Sequence, residues 1–273
     1  MAHGLAAGER FVPLAEGSTF VKTLGSGPPI VVVHGGPGFD HSYLVDPLAF
    51  LSTRRTLVFY DQPGCGRTPA PDSGVSLTRT AMHFRALMLE LFGEKPAGII
   101  AHSWGALVAT AGFAGLPRPV PPPPAEGILI NPVAITTKTY LVALERLLAR
   151  MPQEAIAGFF TILRSGGHGP DAMRLILPYY RTRDFVGAPR DFPLTGSTYL
   201  QIADHLGEFD FTDGAKALSN LAILAGSDDF TGLDLVPELV GAAKTVAVMD
   251  RTSHFPFFED PDGFTAAVAQ LIK

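Results

Sequence analysis

Apolar residues cluster in short, nearly unbroken runs at PIVVVH (29–34), TLVFYD (56–61), AGIIAH (97–102), EGILIN (126–131), NLAILAG (220–226) and TVAVMD (245–250). Runs this short, without polar alternation, predict strands of a parallel sheet covered on both faces. Segments of helical character lie between or after them: LTRTAMHFRALMLELFG (77–93), WGALVATAGFAG (104–115), LDLVPELVGAAK (233–244) and DPDGFTAAVAQLIK (260–273). Strands alternating with helices are the mark of βαβ units, so the pattern predicts an α/β fold with a mostly parallel, doubly wound sheet.

The rhythm breaks after Asn131–Pro132. Up to about residue 216 no such strand run occurs, only helix-like segments such as TYLVALERLLARM (139–151) and PDAMRLILPYYRTR (170–183), separated by Gly- and Pro-rich breaks. The economical organisation is a helical insertion, 132–216, between the two parts of one sheet-bearing core, 1–131 and 217–273. The insertion is rich in aromatics: Phe159, Phe160, Tyr179, Tyr180, Phe185, Phe192 and Tyr199. There are no internal repeats, and PPPP at 121–124 reads as a short rigid connector.

A chain of 273 residues, 47% of them hydrophobic, is long enough to bury a full core as one domain carrying an insertion. The formal net charge is −5 and no Lys/Arg-rich run occurs, which argues against a nucleic-acid partner. MAHGLAAGERFVPL lacks the basic and apolar regions of a secretory signal, and nowhere do about 18 apolar residues run uninterrupted. A soluble cytoplasmic protein with no membrane partner is expected. Cys65, the single cysteine, has no disulfide partner within the chain and no second thiol at metal-site spacing. Oligomeric state is left open.

Against this background the triplet His102-Ser103-Trp104 stands out, because it falls where a strand run ends and a helical one begins. That is the setting of a G-x-S-x-G nucleophile elbow, written here A-H-S-W-G. The turn brings the residues two before and two after the serine nearly into contact, so both must be small, as Ala101 and Gly105 are. A serine hydroxyl becomes a useful nucleophile only when a histidine takes its proton and a carboxylate orients that histidine. In chain order these should follow Ser103 as acid, then His, on loops after later strands. Asp228 and Asp229 stand just past NLAILAG, and His254 lies beyond TVAVMD. Of the two carboxylates Asp229 is preferred, with Asp228 as its rival. For the oxyanion, one backbone N–H is expected from Trp104 and a second from the glycine-rich loop His34-Gly35-Gly36-Pro37-Gly38, with Gly36 the chosen donor.

With HGGPG at 34–38, DQPGCGRT at 61–68, HSWG at 102–105, GSDD at 226–229 and SHFPFFEDP at 253–261, the chain resembles the proline iminopeptidase family of α/β-hydrolases. The pattern is nearest to the tricorn-interacting aminopeptidase branch. The resemblance implies an α/β-hydrolase fold with a helical cap, a Ser103-Asp229-His254 triad, no metal and no organic cofactor. It also implies release of an N-terminal residue, often proline, from a peptide or amide. An aminopeptidase must pair the substrate's ammonium with a carboxylate. Here Phe230 stands where that branch has a glutamate after the triad acid, and its cap glutamate aligns near Tyr199; both are taken as substrate-binding positions. Asp204, Glu208 or Asp228 would have to substitute. The family's DQRG arginine is replaced by Pro63.

The expected function is therefore a serine hydrolase that cleaves a small or medium ester or amide, or a short peptide-like substrate, through a covalent acyl-enzyme. Two alternatives stand beside it: a true aminopeptidase, and a non-hydrolytic member of the fold such as a cyclase, lyase or ligand-binding protein.

Overall fold

The computed structural model describes residues 5–115, 119–182 and 192–272; Phe185 lies outside them. Eight strands form one sheet: β1 (Gly8–Leu14), β2 (Gly17–Leu24), β3 (Pro29–Val33), β4 (Thr56–Tyr60), β5 (Gly98–His102), β6 (Gly127–Ile130), β7 (Leu221–Gly226) and β8 (Thr245–Met249). Their spatial order is β1-β2-β4-β3-β5-β6-β7-β8. The pairs β1/β2 and β2/β4 are antiparallel, and every other neighbouring pair is parallel. All residues of β4, β5, β6 and β7 are buried, as the unbroken apolar runs require of strands covered on both faces.

The hairpin β1–β2 is not signalled by such a run. Its strands carry Glu9, Arg10, Lys22 and Thr23 among the apolar residues, and β1 leaves Phe11 49% exposed at the sheet edge. At the opposite edge β8 exposes Val246 and Val248, so its apolar residues do not all mark a core strand.

Helices α1 (Ser42–Leu48), α2 (Leu77–Phe92) and α3 (Trp104–Phe113) connect the first strands. Ser76 caps α2 by accepting the Arg79 N–H, and Gly93 at φ 59° ends it. Every residue of α3 is buried, which suits a helix apolar on all sides that is enclosed by its neighbours. Between β6 and β7 the chain forms α4 (Thr137–Leu148), α5 (Gln153–Arg164), α6 (Gly169–Ile176), α7 (Gly196–Asp204) and α8 (Thr212–Ala217). The last of these packs on α3: a Cβ at Gly214 would overlap the Thr110 carbonyl oxygen. So α8 lies within the core layer. The chain finishes with α9 (Pro237–Ala242), α10 (Pro256–Glu259) and α11 (Pro261–Leu271). The expected helix over 233–244 is realised as a short 3-10 turn, Leu233–Leu235, and then α9, with Pro237 at the break. Among the described residues no helix is long and apolar enough to cross a membrane.

Three buried histidines make folding sensitive to acid. Burial lowers His34, brings His83 down to about 4 and His102 to about 3, against 6.5 for a free imidazole. The unfolded chain therefore binds more protons than the native one below pH 6.5. This part of the stability is complete above 6.5 and is lost as pH falls towards 4. The slope is about 1.4 kcal/mol per pH unit for each proton. His83, whose Nε2 lies 2.6 Å from Thr19 Oγ1, is the histidine to replace. In urea unfolding between pH 6.5 and 4, His83→Gln should flatten the pH dependence by about one proton.

Candidate active site

The chain passes from β3 to β4 on one side and returns to β5 on the other, so the winding reverses between β3 and β5. Loops leaving the C-terminal ends of two such strands part and open a crevice. The loop 34–38 leaves β3 there and Ser103 leaves β5. Ser103 sits at φ 55°, ψ −122°, a conformation rare for a residue with a side chain. Its N–H is fixed to the Ile130 carbonyl at 2.9 Å. Gly105 makes the turn feasible, because a Cβ there would strike the carbonyl oxygens of Val33 and His34.

The structure brings Ser103, Asp229 and His254 into one hydrogen-bonded chain. His254 Nε2 lies 2.8 Å from Ser103 Oγ, and His254 Nδ1 lies 2.9 Å from Asp229 Oδ1. An ionised carboxylate only accepts, so in the neutral imidazole the proton is on Nδ1 and Nε2 is free to accept the serine O–H. All three residues are buried. Burial raises the Asp229 carboxyl pKa, yet the charge and hydrogen bond of His254 and the donations from Thr231 outweigh it, and the net direction is down. Thr231 Oγ1 donates to Asp229 Oδ2 at 2.6 Å. Asp228, the rival carboxylate, is exposed. Its carbonyl accepts from Arg150 Nη2 at 2.9 Å and Ser253 Oγ at 3.1 Å, so its place is in the loop's framework.

The two amides expected to face an oxyanion flank Ser103. Trp104 occupies the first helical position of α3, where an N–H has no intrahelical acceptor. Gly36 is at φ 135°, and a Cβ on it would crowd the Gly38 nitrogen. The Gly36 N–H belongs to the peptide whose carbonyl is that of Gly35, and Gly35 O is 2.8 Å from His34 Nδ1. The Gln62 N–H donates to His34 Nε2 at 3.0 Å, which puts the ring proton on Nδ1 and makes Gly35 O its acceptor. A hydrogen bond on that carbonyl orients the peptide plane and polarises its N–H. The Gln62 side chain ties the two halves together, donating to His34 O at 2.6 Å and accepting the Trp104 indole N–H at 3.1 Å. Sequence reasoning noted DQPG only for its missing arginine and missed Gln62. Its signal was a second polar side chain, after Asp61, at the end of the buried strand β4.

Beside Ser103 and His254 lies a cavity of about 20 Å³, walled by Phe39, Phe159, Met173, Ile176, Leu194 and Tyr199, with Tyr180, Gly36 and Pro37 completing it. Among the described residues no carboxylate lines it, and Asp204 and Glu208, like Asp228, are exposed elsewhere. Tyr199 belongs to the wall. Phe230 instead packs its ring on the His254 imidazole, with centroids 4.6 Å apart, and edge-on to Tyr180. Phe192 stacks behind the wall on Phe39. Asp40, His41 and Asp61 also gather possible metal-ligating atoms. Asp61 Oδ1 already accepts from the His41 N–H and ring, and Oδ2 from the Arg67 N–H, which is the bonding of a loop brace.

Residues 30–267 match the model of the alpha/beta hydrolase family, and the chain belongs to that family. A proline iminopeptidase of Lactobacillus delbrueckii subsp. lactis is 23% identical over 81% of this chain and 82% of its own. The crystal structure of a proline iminopeptidase from Mycobacterium smegmatis superposes with a TM-score of 0.68 at 24% identity, covering 96% of this chain and 97% of that one. A thermophilic esterase from Thermogutta terrifontis superposes with a TM-score of 0.70 at 19% identity, covering 97% of each chain. At these identities the structural likeness speaks for the fold.

Because Gly105 presses against β3 backbone, Gly105→Ala should cost several kcal/mol, as overpacking against an atom that cannot yield does. Thermal unfolding should show a marked drop in Tm, whereas Ala106→Gly, one residue on, should be much milder.

Proposed function

We propose that this alpha/beta hydrolase acts on a small or medium ester or amide through an acyl-enzyme at Ser103. His254 takes the serine proton as Ser103 Oγ attacks the substrate carbonyl, and the Trp104 and Gly36 amides receive the oxyanion. His254 then protonates the leaving group and activates the water that releases the acid, while Asp229 holds the imidazole and stabilises its cation. The 2.8 Å approach of His254 Nε2 to Ser103 Oγ is the observation that carries this reading.

Charge at the cavity points to the substrate. A buried ammonium needs an anionic partner, and the described wall supplies none. An uncharged, apolar acyl group suits it, with Tyr180 and Tyr199 the hydroxyl-bearing residues of the wall. Similarity to proline iminopeptidases favours a second reading, release of an N-terminal residue, in which the aromatic wall would have to hold the amine without a carboxylate.

The p-nitroanilide of L-proline and p-nitrophenyl butyrate separate the two, with Ser103→Ala as blank. We expect the ester to turn over and the prolyl anilide to be poor; efficient anilide cleavage that vanishes on N-acetylation would establish the aminopeptidase instead. Ser103→Ala should lower kcat by about 10⁴- to 10⁶-fold, and Asp229→Asn by about 10³- to 10⁴-fold. Asp228→Asn should remain near wild type. A Ser103→Ala enzyme with undiminished turnover would remove the mechanism.

A further inference from the structure

Directly beneath the nucleophile lies a second buried hydrogen-bonded chain that the reaction scheme leaves unused. The Gly35 N–H donates to Tyr43 Oη at 2.6 Å. Tyr43 Oη is 2.8 Å from His102 Nδ1, and His102 Nε2 is 2.9 Å from the His254 carbonyl oxygen. The direction of every bond follows from valence. A carbonyl can only accept, so His102 carries its proton on Nε2. Its Nδ1 then accepts the Tyr43 O–H, and the phenol oxygen accepts the Gly35 N–H.

His102 is fully buried, Tyr43 nearly so, and Phe255 and Phe257 pack about the imidazole. Burial keeps His102 neutral throughout the working pH range, lowering it to about 3, and raises the Tyr43 phenol. The chain therefore holds one protonation state and one direction. Space is as constrained as bonding: a Cβ on Gly35 would come 2.8 Å from Tyr43 Oη, 3.0 Å from His102 Nδ1 and 3.2 Å from Ser103 Cβ.

These contacts join the C-terminal ends of three different strands, or the loops that follow them. Gly35 is in the loop after β3 and adjoins the Gly36 donor; His102 ends β5 and adjoins Ser103; His254 lies beyond β8. We propose that Tyr43 and His102 are positioning residues, a fixed spacer that sets the oxyanion loop and the His254 backbone at a defined separation on either side of Ser103. The inference rests on the acyl-enzyme reading above. Neither residue touches the reacting atoms; each acts through Gly35–Gly36 or through His254.

The test compares Tyr43→Phe, His102→Leu and His102→Gln with the wild type on p-nitrophenyl butyrate, with active sites counted by fluorophosphonate titration. Tyr43→Phe removes one oxygen and keeps the ring, so it is the variant least able to disturb the core. In Tyr43→Phe and His102→Leu, kcat per titrated site should fall about 10- to 100-fold, the scale of a small misplacement of reacting groups, while KM moves by less than about threefold. The inhibition constant of butylboronic acid, which forms a tetrahedral serine adduct, should rise in proportion to the loss in kcat/KM. His102→Gln, whose amide can accept from Tyr43 and donate to the His254 carbonyl, should recover most of both. Variants that lose Tm or titratable sites but keep kcat per site and boronate affinity would reduce the chain to a fold brace and overturn the proposal. A wild type that hydrolyses no better than Ser103→Ala would instead overturn the underlying hydrolase reading.

Discussion

The site depends on one close approach of backbones: the start of α3 crosses the end of β3 at Gly105, with no room for a Cβ between them. That approach lets the chain leave β5 and enter α3 within a single residue, which puts Ser103 in its left-handed conformation and lifts it out of both elements. A strained residue of this kind costs about 1–3 kcal/mol and persists only where its surroundings determine it. Here the Ile130 carbonyl holds its N–H, the parallel pairing of β3 with β5 holds the strands, and the enclosed helix α3 holds the far side.

Charge around Ser103 is divided unequally. On one side Asp229 and His254 are buried together, tolerable because the carboxylate takes bonds from both the imidazole and Thr231. On the other side the described wall is aromatic and aliphatic, with two phenols as its polar groups. In the proposed mechanism such a division would stabilise an imidazolium as it forms on the first side. It offers no carboxylate, among the described residues, to a cation arriving on the second.

Much of this arrangement was legible in the sequence because it rests on order and periodicity. Apolar runs marked the central strands, and the order of Ser103, the Asp pair and His254 placed them on loops at the same sheet end. Choosing between Asp228 and Asp229 was beyond periodicity, since neighbouring side chains in a loop point apart and only their surroundings tell which is turned inward. The β1–β2 hairpin was hidden because its charged residues and exposed Phe11 blur any apolar run. Phe230, a substrate position by its alignment with the related branch's glutamate, lays its ring on His254, a contact that no sequence pattern signals. His102 did leave a trace: a histidine closing an otherwise apolar strand must find hydrogen-bond partners inside the protein. Tyr43 left none, because its partners, the Gly35 N–H and His102 Nδ1, come together only when the ends of β3 and β5 have paired.

The cavity beside Ser103, about 20 Å³, holds roughly one water molecule. Under the proposed reading an acyl chain would enter by displacing Phe159, Met173 and their neighbours, and the work of parting these side chains would be subtracted from the affinity of every substrate alike. Ligands that bury enough apolar surface to offset it are selected by bulk as well as by chemistry. Water offsets none of it. Ser103 itself is buried, and in the proposed mechanism a change of side-chain volume in that wall would alter the rate of entry before it altered any step at the serine.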